Sequence, residues 1–158
     1  MSDEQAGRDW LARSVVYHES QQGSRQWRAF LGVLMRELKA TAGDQAEDFL
    51  RHLGACMADT MPLERYDTLE EMVAAINTHW HRINWGWCAM QPQGDGIHIV
   101  HGAWPRVDVR VEHEWPASLA AVLEGIYGAW LRQQGGGEVV PIRASQVRAD
   151  APLEFVYG

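Results

Sequence analysis

The stretch from Trp115 to Gln134, WPASLAAVLEGIYGAWLRQQ, constrains the fold more than any other part of the chain. Leu119, Val122, Leu123, Ile126, Tyr127, Trp130 and Leu131 recur at steps of three and four, the broad apolar stripe of an α-helix. Pro116 stands in the first turn, where a missing N–H costs nothing, and Gly135 to Gly137 end the pattern. Gly125 and Gly128 lie inside the helix, each about 1 kcal/mol worse there than alanine. With Ala121 they leave a groove poor in side chains, which invites another backbone to approach. That backbone belongs either to the same subunit, under a sheet, or to a second one.

The remaining elements are arranged around this helix. Residues 1–23 are polar, interrupted by Gly7 and Gly23, and read as a mobile N-terminal arm with room for a short helix from Asp9 to His18. A single domain over 24–158 follows. Ser24 is placed to cap a first helix whose stripe is Trp27, Phe30, Leu31, Leu34, Met35 and Leu38. Asp44 and Glu47 have the spacing of a capping box for a second helix, with Phe49, Leu50, Leu53, Met57 and Met61 as its apolar face. Gly54 and Ala58 make a second small-residue groove. Thr68-Leu69-Glu70-Glu71 is the clearest helix start, and Met72, Val73, Ile76, Trp80 and Ile83 form the buried face of the third helix.

At Asn84 the period changes from 3.6 to 2. Trp85 to Gln91 predicts a strand, Gly94-Asp95-Gly96 a hairpin turn, and Ile97 to His101 the return strand. Val107, Val109 and Val111 alternate with charged residues, a third strand with one wet face. Val139 to Arg143 and Leu153 to Tyr157 predict two short strands after the long helix, with Pro141 confining the former to an edge or bulge. The expected class is α+β: three N-terminal helices, a small and mostly antiparallel sheet, one long helix and two short C-terminal strands.

A chain of 158 residues with a net charge of -7 is poorly suited to a nucleic-acid backbone or an anionic membrane. It begins without the basic and apolar signature of a secretory signal, and no run approaches the length of a membrane span. The expected location is therefore cytoplasmic. Cys56 and Cys88 sit in apolar surroundings and read as small buried hydrophobes, with a disulfide between them as the alternative. Eight tryptophans against three phenylalanines suit cores, interfaces and ligand platforms alike.

A search for catalytic chemistry finds little. His79 and His81, two apart on a helix, point roughly 200° apart. His98 and His101, three apart on a strand, face opposite sides of the sheet. Neither pair converges on a metal, and no cofactor motif is present. Glu124, a lone carboxylate in the long helix, is open to two readings: a general acid raised by burial, or one half of a salt bridge. No catalytic residue is assigned.

The segments Ile83-Asn84-Trp85-Gly86, Ile97-His98-Ile99-Val100-His101 and Val122-Leu123-Glu124-Gly125-Ile126-Tyr127-Gly128-Ala129-Trp130 resemble the D subunit of bacterial cellulose synthase, the cellulose synthase operon protein D family. Phe49-Leu50-Arg51 with Gly54, Met57 and Ala58 shares the resemblance, which runs in order and spacing over about residues 24 to 158. The Leu-Glu-Gly-x-Tyr-Gly-x-Trp segment is its most specific part. The resemblance implies a non-enzymatic accessory of cellulose secretion that forms a cylindrical homo-octamer, a tetramer of dimers, whose passages guide glucan chains toward crystalline packing. It also implies association with the cellulose synthase complex and, in some bacteria, with proline-rich operon proteins; both cytoplasmic and periplasmic locations go with the family.

A sliding glucan calls for shallow aromatic shelves and polar side chains. By position near the arm, Trp10, Tyr17, Arg25 and Trp27 are the candidate contacts, with core membership as the competing role for Trp27. Gly54, Ala58, Ala121, Gly125 and Gly128 are the candidate oligomer-interface positions. The alternatives are a scaffold for a proline-rich partner that never touches sugar, and a glycan hydrolase built on Glu124.

Overall fold

The computed structural model describes residues 24–107, 114–135 and 140–158. The expected arm, 1–23, and most of the expected third strand lie outside them. In chain order the elements are α1 (Arg25–Ala42), α2 (Asp44–Thr60), α3 (Leu69–Ile83), β1 (Trp87–Gln93), β2 (Gly96–Gly102), α4 (Trp115–Gln133), β3 (Ile142–Gln146) and β4 (Leu153–Tyr157). The strands form one antiparallel sheet in the order β1-β2-β4-β3, which gives the α+β class expected.

Register brings the apolar rows of the sheet together. Cys88 lies opposite His101 and Met90 opposite Ile99; Ile99 in turn faces Phe155, and His101 faces Leu153. All six are buried, so one face of the sheet is a wall of the core. α4 packs against β3 and β4, while α3 packs on β1. Edge strand β1 is closed at one point by a side chain of α3. Asn77 donates from Nδ2 to the Cys88 carbonyl (2.9 Å) and accepts from the Cys88 N–H (2.7 Å), occupying backbone groups that an edge would leave open.

Local chemistry accounts for where the elements begin and end. Thr68 accepts a hydrogen bond from the Glu71 N–H at 3.2 Å, the expected cap of α3. Asn84 closes that helix in the left-handed region (φ 56°), and Gly86 follows at φ 92°. Those two conformations delay β1 to Trp87, two residues later than the alternation predicts. β3 begins at Ile142, directly after Pro141, whose carbonyl still accepts from the Gly158 N–H; the start expected at Val139 lies outside the described residues. Two expected caps are corrected. The Ser24 side chain makes no capping bond, and α2 is entered through Gly43 at φ 54°, so Asp44 is its first residue and not its cap. Among the described residues no helix is long and apolar enough to cross a membrane.

Trp80 of α3 is the hub of the core. It stacks on Trp85 (6.0 Å between centroids) and meets His101, Tyr127 and Trp130 edge-on or tilted at 5.1–5.8 Å. Trp130 donates to the Met61 carbonyl and Trp115 to that of Pro105, so these large rings are buried with their N–H groups satisfied. Trp104, Trp115 and Trp130 are core residues; Trp27 and Trp87 remain exposed.

Candidate functional site

The glycine grooves meet each other. A Cβ placed on Gly54 of α2 would overlap the Val122 carbonyl oxygen of α4, and one on Gly125 would overlap the Arg51 carbonyl oxygen of α2. Ala58 and Ala121 are buried in the same region, at 0% and 4% exposure. The close approach foreseen from the glycines is thus real and lies within one subunit. Of the two partners left open for the grooves, the chain's own helix fills the space at Gly54 and Gly125. Gly128 differs: its nearest neighbour would be the Ile142 Cγ2 at 3.3 Å, on β3.

Glu124 ties this helix pair to the sheet. Its buried carboxylate accepts from Arg51 Nε at 2.6 Å and from the Ala144 N–H of β3 at 2.7 Å. Arg51 also pairs with Glu47 and Asp48 along α2, and the Glu124 carboxylate raises its affinity for its proton. Of the two roles open to Glu124, the structure shows the salt bridge, and both carboxylate oxygens are engaged.

A buried polar cluster sits behind α4. His101 is fully buried, and a carbonyl can only accept, so its Nε2–H donates to the Trp85 carbonyl (2.8 Å). Nδ1 is then the acceptor for the Tyr127 hydroxyl at 2.6 Å. Burial drives the imidazole down to about 4 and the Cys88 thiol up to about 12, which keeps both neutral. His98, on the opposite face as expected, pairs with Glu154 at 2.9 Å. Among the described residues no group of three or more metal-ligating side chains converges.

The outer helices behave differently from expectation. The α1 stripe is divided: Met35 is buried and Leu31 and Leu38 half-buried, while Trp27 (53%), Phe30 (55%) and Leu34 (43%) face outward. Trp27 is therefore not core; it packs edge-on against Phe30 with centroids 5.7 Å apart. On α2, Phe49 (51%) and Leu53 (37%) are likewise uncovered. Arg25 is exposed at the start of α1. Trp10 and Tyr17 lie outside the described residues. Phe49 and Leu53 were missed as surface positions, although the width of the stripes carries the signal: both helices bear more apolar rows than the edge of a small domain can bury. Cys56 is also corrected from buried to exposed, and both cysteines are free.

The sequence that builds these elements has relatives among known proteins. The family model for the D subunit of cellulose synthase matches residues 13–158. The chain belongs to the cellulose synthase D-subunit family. A cellulose synthase operon protein D from Komagataeibacter xylinus is 32% identical over 112 residues, covering 68% of this chain and 70% of that protein. One from Komagataeibacter sucrofermentans is 33% identical over the same length and coverage. Membership of the D-subunit family supports a role in cellulose synthesis.

Proposed function

We propose that this protein is a non-catalytic, oligomeric accessory subunit of bacterial cellulose biosynthesis and secretion, which guides or organises glucan chains for export and crystalline packing. The observation that carries the proposal is the pair of uncovered apolar strips, Trp27-Phe30-Leu34 on α1 and Phe49-Leu53 on α2, in a member of the D-subunit family. With Val33, six large apolar side chains are exposed on these two adjoining helices, more than a solitary soluble subunit ordinarily shows. Other copies of the chain cover Phe30, Leu34, Phe49 and Leu53 and leave Trp27 open, in a homo-octamer assembled as a tetramer of dimers, and the assembly works beside the cellulose synthase complex. The small-residue positions contribute by letting α2 and α4 pack tightly, which presents α2 as a firm face; Gly128 keeps α4 thin toward β3.

Glucan contact falls to Trp27 and Arg25, together with Trp10 and Tyr17. An indole offers a flat apolar surface to sugar C–H faces without trapping the chain at one place. The proposed location is cytoplasmic, near the inner membrane, with the periplasmic side as the alternative. The second reading is a scaffold for a proline-rich operon partner, and exposed Trp27 would serve it equally well.

Light scattering on the native protein tests the assembly. A particle several times the chain mass is expected, and Phe49→Glu with Leu53→Glu should dissociate it while circular dichroism stays unchanged. A monomer at micromolar concentration would sink the proposal. Titration with cello-oligosaccharides, followed by tryptophan fluorescence, separates the two ligands: a response lost in Trp27→Ala supports glucan, and silence toward every soluble oligomer favours the protein partner.

A further inference from the structure

One face of the sheet is a wall of the core, with α3 and α4 packed on it; the other carries mostly exposed or half-buried side chains. On that outer face Trp87 of β1 stands directly opposite Gly102 of β2. The position a Gly102 side chain would take lies 2.3 Å from Trp87 Cζ2, 2.4 Å from Cε2 and 2.9 Å from Nε1. A point that close to the Cζ2–Cε2 bond and level with the rim of the ring would lie nearer to Nε1 than to either carbon. Gly102 therefore sits beneath the flat face of the indole, the close approach a strand glycine permits. The ring lies down across the sheet: one face rests on glycine, and with Trp87 45% exposed the other is open.

The neighbouring rows supply low apolar ground and then hydrogen-bonding groups. Ala89 and Val100 pair beside the indole, and Gln91 pairs with His98 one row further along. Trp87 and Gln91, four residues apart on one strand face, are separated by about 13 Å. Glu154 accepts from His98 Nε2 at 2.9 Å and from Gln146 Nε2 at 3.0 Å, which ties β2, β4 and β3 together across the face. The carboxylate of Glu154 and the guanidinium of Arg143 on this face cancel in formal charge, although the chain as a whole carries -7.

We propose that the outer face of the sheet is a second contact surface for a neutral β-glucan chain, with Trp87 as its stacking shelf. It rests on the accessory role proposed above and adds a site on the sheet, separate from Trp27 on α1. The indole meets the C–H face of a sugar ring, and Gln91, His98 and Gln146 exchange hydrogen bonds with its hydroxyls. A flat surface without net charge matches an uncharged polymer; an acidic or basic partner would leave its own charge uncompensated here. Hydroxyls both donate and accept, as the mixture of amides, imidazole and carboxylate requires. A proline-rich segment stacks on an indole as well, but its missing N–H groups leave those acceptors unmet. Gly102 is a positioning residue that keeps the shelf level.

Calorimetric titration of the full-length protein with cellohexaose tests the site, with light scattering on the same samples. Trp87→Ala should lower affinity at least tenfold and leave the particle mass unchanged. Gly102→Ala retains the indole but lifts it from the sheet, and should weaken binding in the same direction with circular dichroism unchanged. Gln91→Ala, at an exposed position, should weaken it severalfold. Affinity indifferent to Trp87→Ala, binding of an oligoproline in place of cellohexaose, or no heat at millimolar cellohexaose would each overturn the sheet site. Loss of all binding in Trp27→Ala, with Trp87→Ala silent, would overturn it while the accessory role stands. A monomer that still binds through Trp87 would do the reverse.

Discussion

His101 makes the stability of the subunit depend on pH in a direction that can be worked out. Folded, its imidazole resists protonation down to about 4; unfolded, it takes a proton near its ordinary 6.5. Between those values the unfolded chain binds more protons, so stability is fully present above pH 6.5 and is lost as pH falls toward 4. The loss attributable to this group is about 3 kcal/mol. Urea unfolding of wild type and His101→Gln at pH 4 to 7 should show a shallower pH slope in the variant; identical slopes would clear His101 of the effect. Gly125→Ala drives a methyl into the Arg51 carbonyl and should lower stability by about 1–3 kcal/mol or more, whereas Gly128→Ala, meeting only the Ile142 Cγ2 methyl at 3.3 Å, should cost less. Glu124→Gln keeps an acceptor for Ala144 but removes the charge facing Arg51. Because Arg51 retains Glu47 and Asp48, the expected cost is about 1–3 kcal/mol in thermal or urea unfolding, and reducing-sugar release from cello-oligosaccharides should be absent in both wild type and variant.

Single elements differ sharply in how firmly they are held. α4 buries most of its length, from Trp115 to Leu131, whereas α1 buries only Gly32 and Met35. Amide exchange in a preparation diluted to monomer should therefore open α1 first and α4 last, and slower exchange in the assembled particle would locate the covering contact on α1. Thr68→Ala removes the side-chain cap of α3 and should cost about 1 kcal/mol. Elements of this kind are readable in the sequence wherever the period is strong and both ends are marked. α3, with Thr68 before it and Asn84 after it, and α4, with Pro116 and the glycine run, fall within a residue or two of where the pattern puts them. The start of β1 slips because backbone conformation, at Asn84 and Gly86, overrides side-chain alternation. What periodicity cannot convey is which rows of a stripe have partners. Trp27 and Phe49 carry the same apolar signal as Met35 and Leu50, and only the number of neighbouring elements separates core from surface. The tie between Arg51 and Glu124 is hidden for a related reason: it joins residues 73 positions apart, and local pattern is silent on such pairings.

For the molecule as a whole, the sheet and α4 form a closed core while α1 and the outer side of α2 are left incomplete. If copies assemble as proposed, the subunit should gain stability with concentration, because such assembly would bind the folded form alone. The midpoint of thermal unfolding should accordingly rise as the protein is concentrated from sub-micromolar to tens of micromolar, and should become concentration-independent in Phe49→Glu/Leu53→Glu. The crossing of Gly54 with Gly125 has a bearing on the proposed assembly. Each main chain there occupies the room a side chain would need on the other, so the two rods are notched together like timbers in a halved joint and resist sliding lengthwise. The distance from the sheet to the outward wall is then set by main-chain atoms. A closed ring built from such units would keep its calibre even where the residues decorating that wall are exchanged.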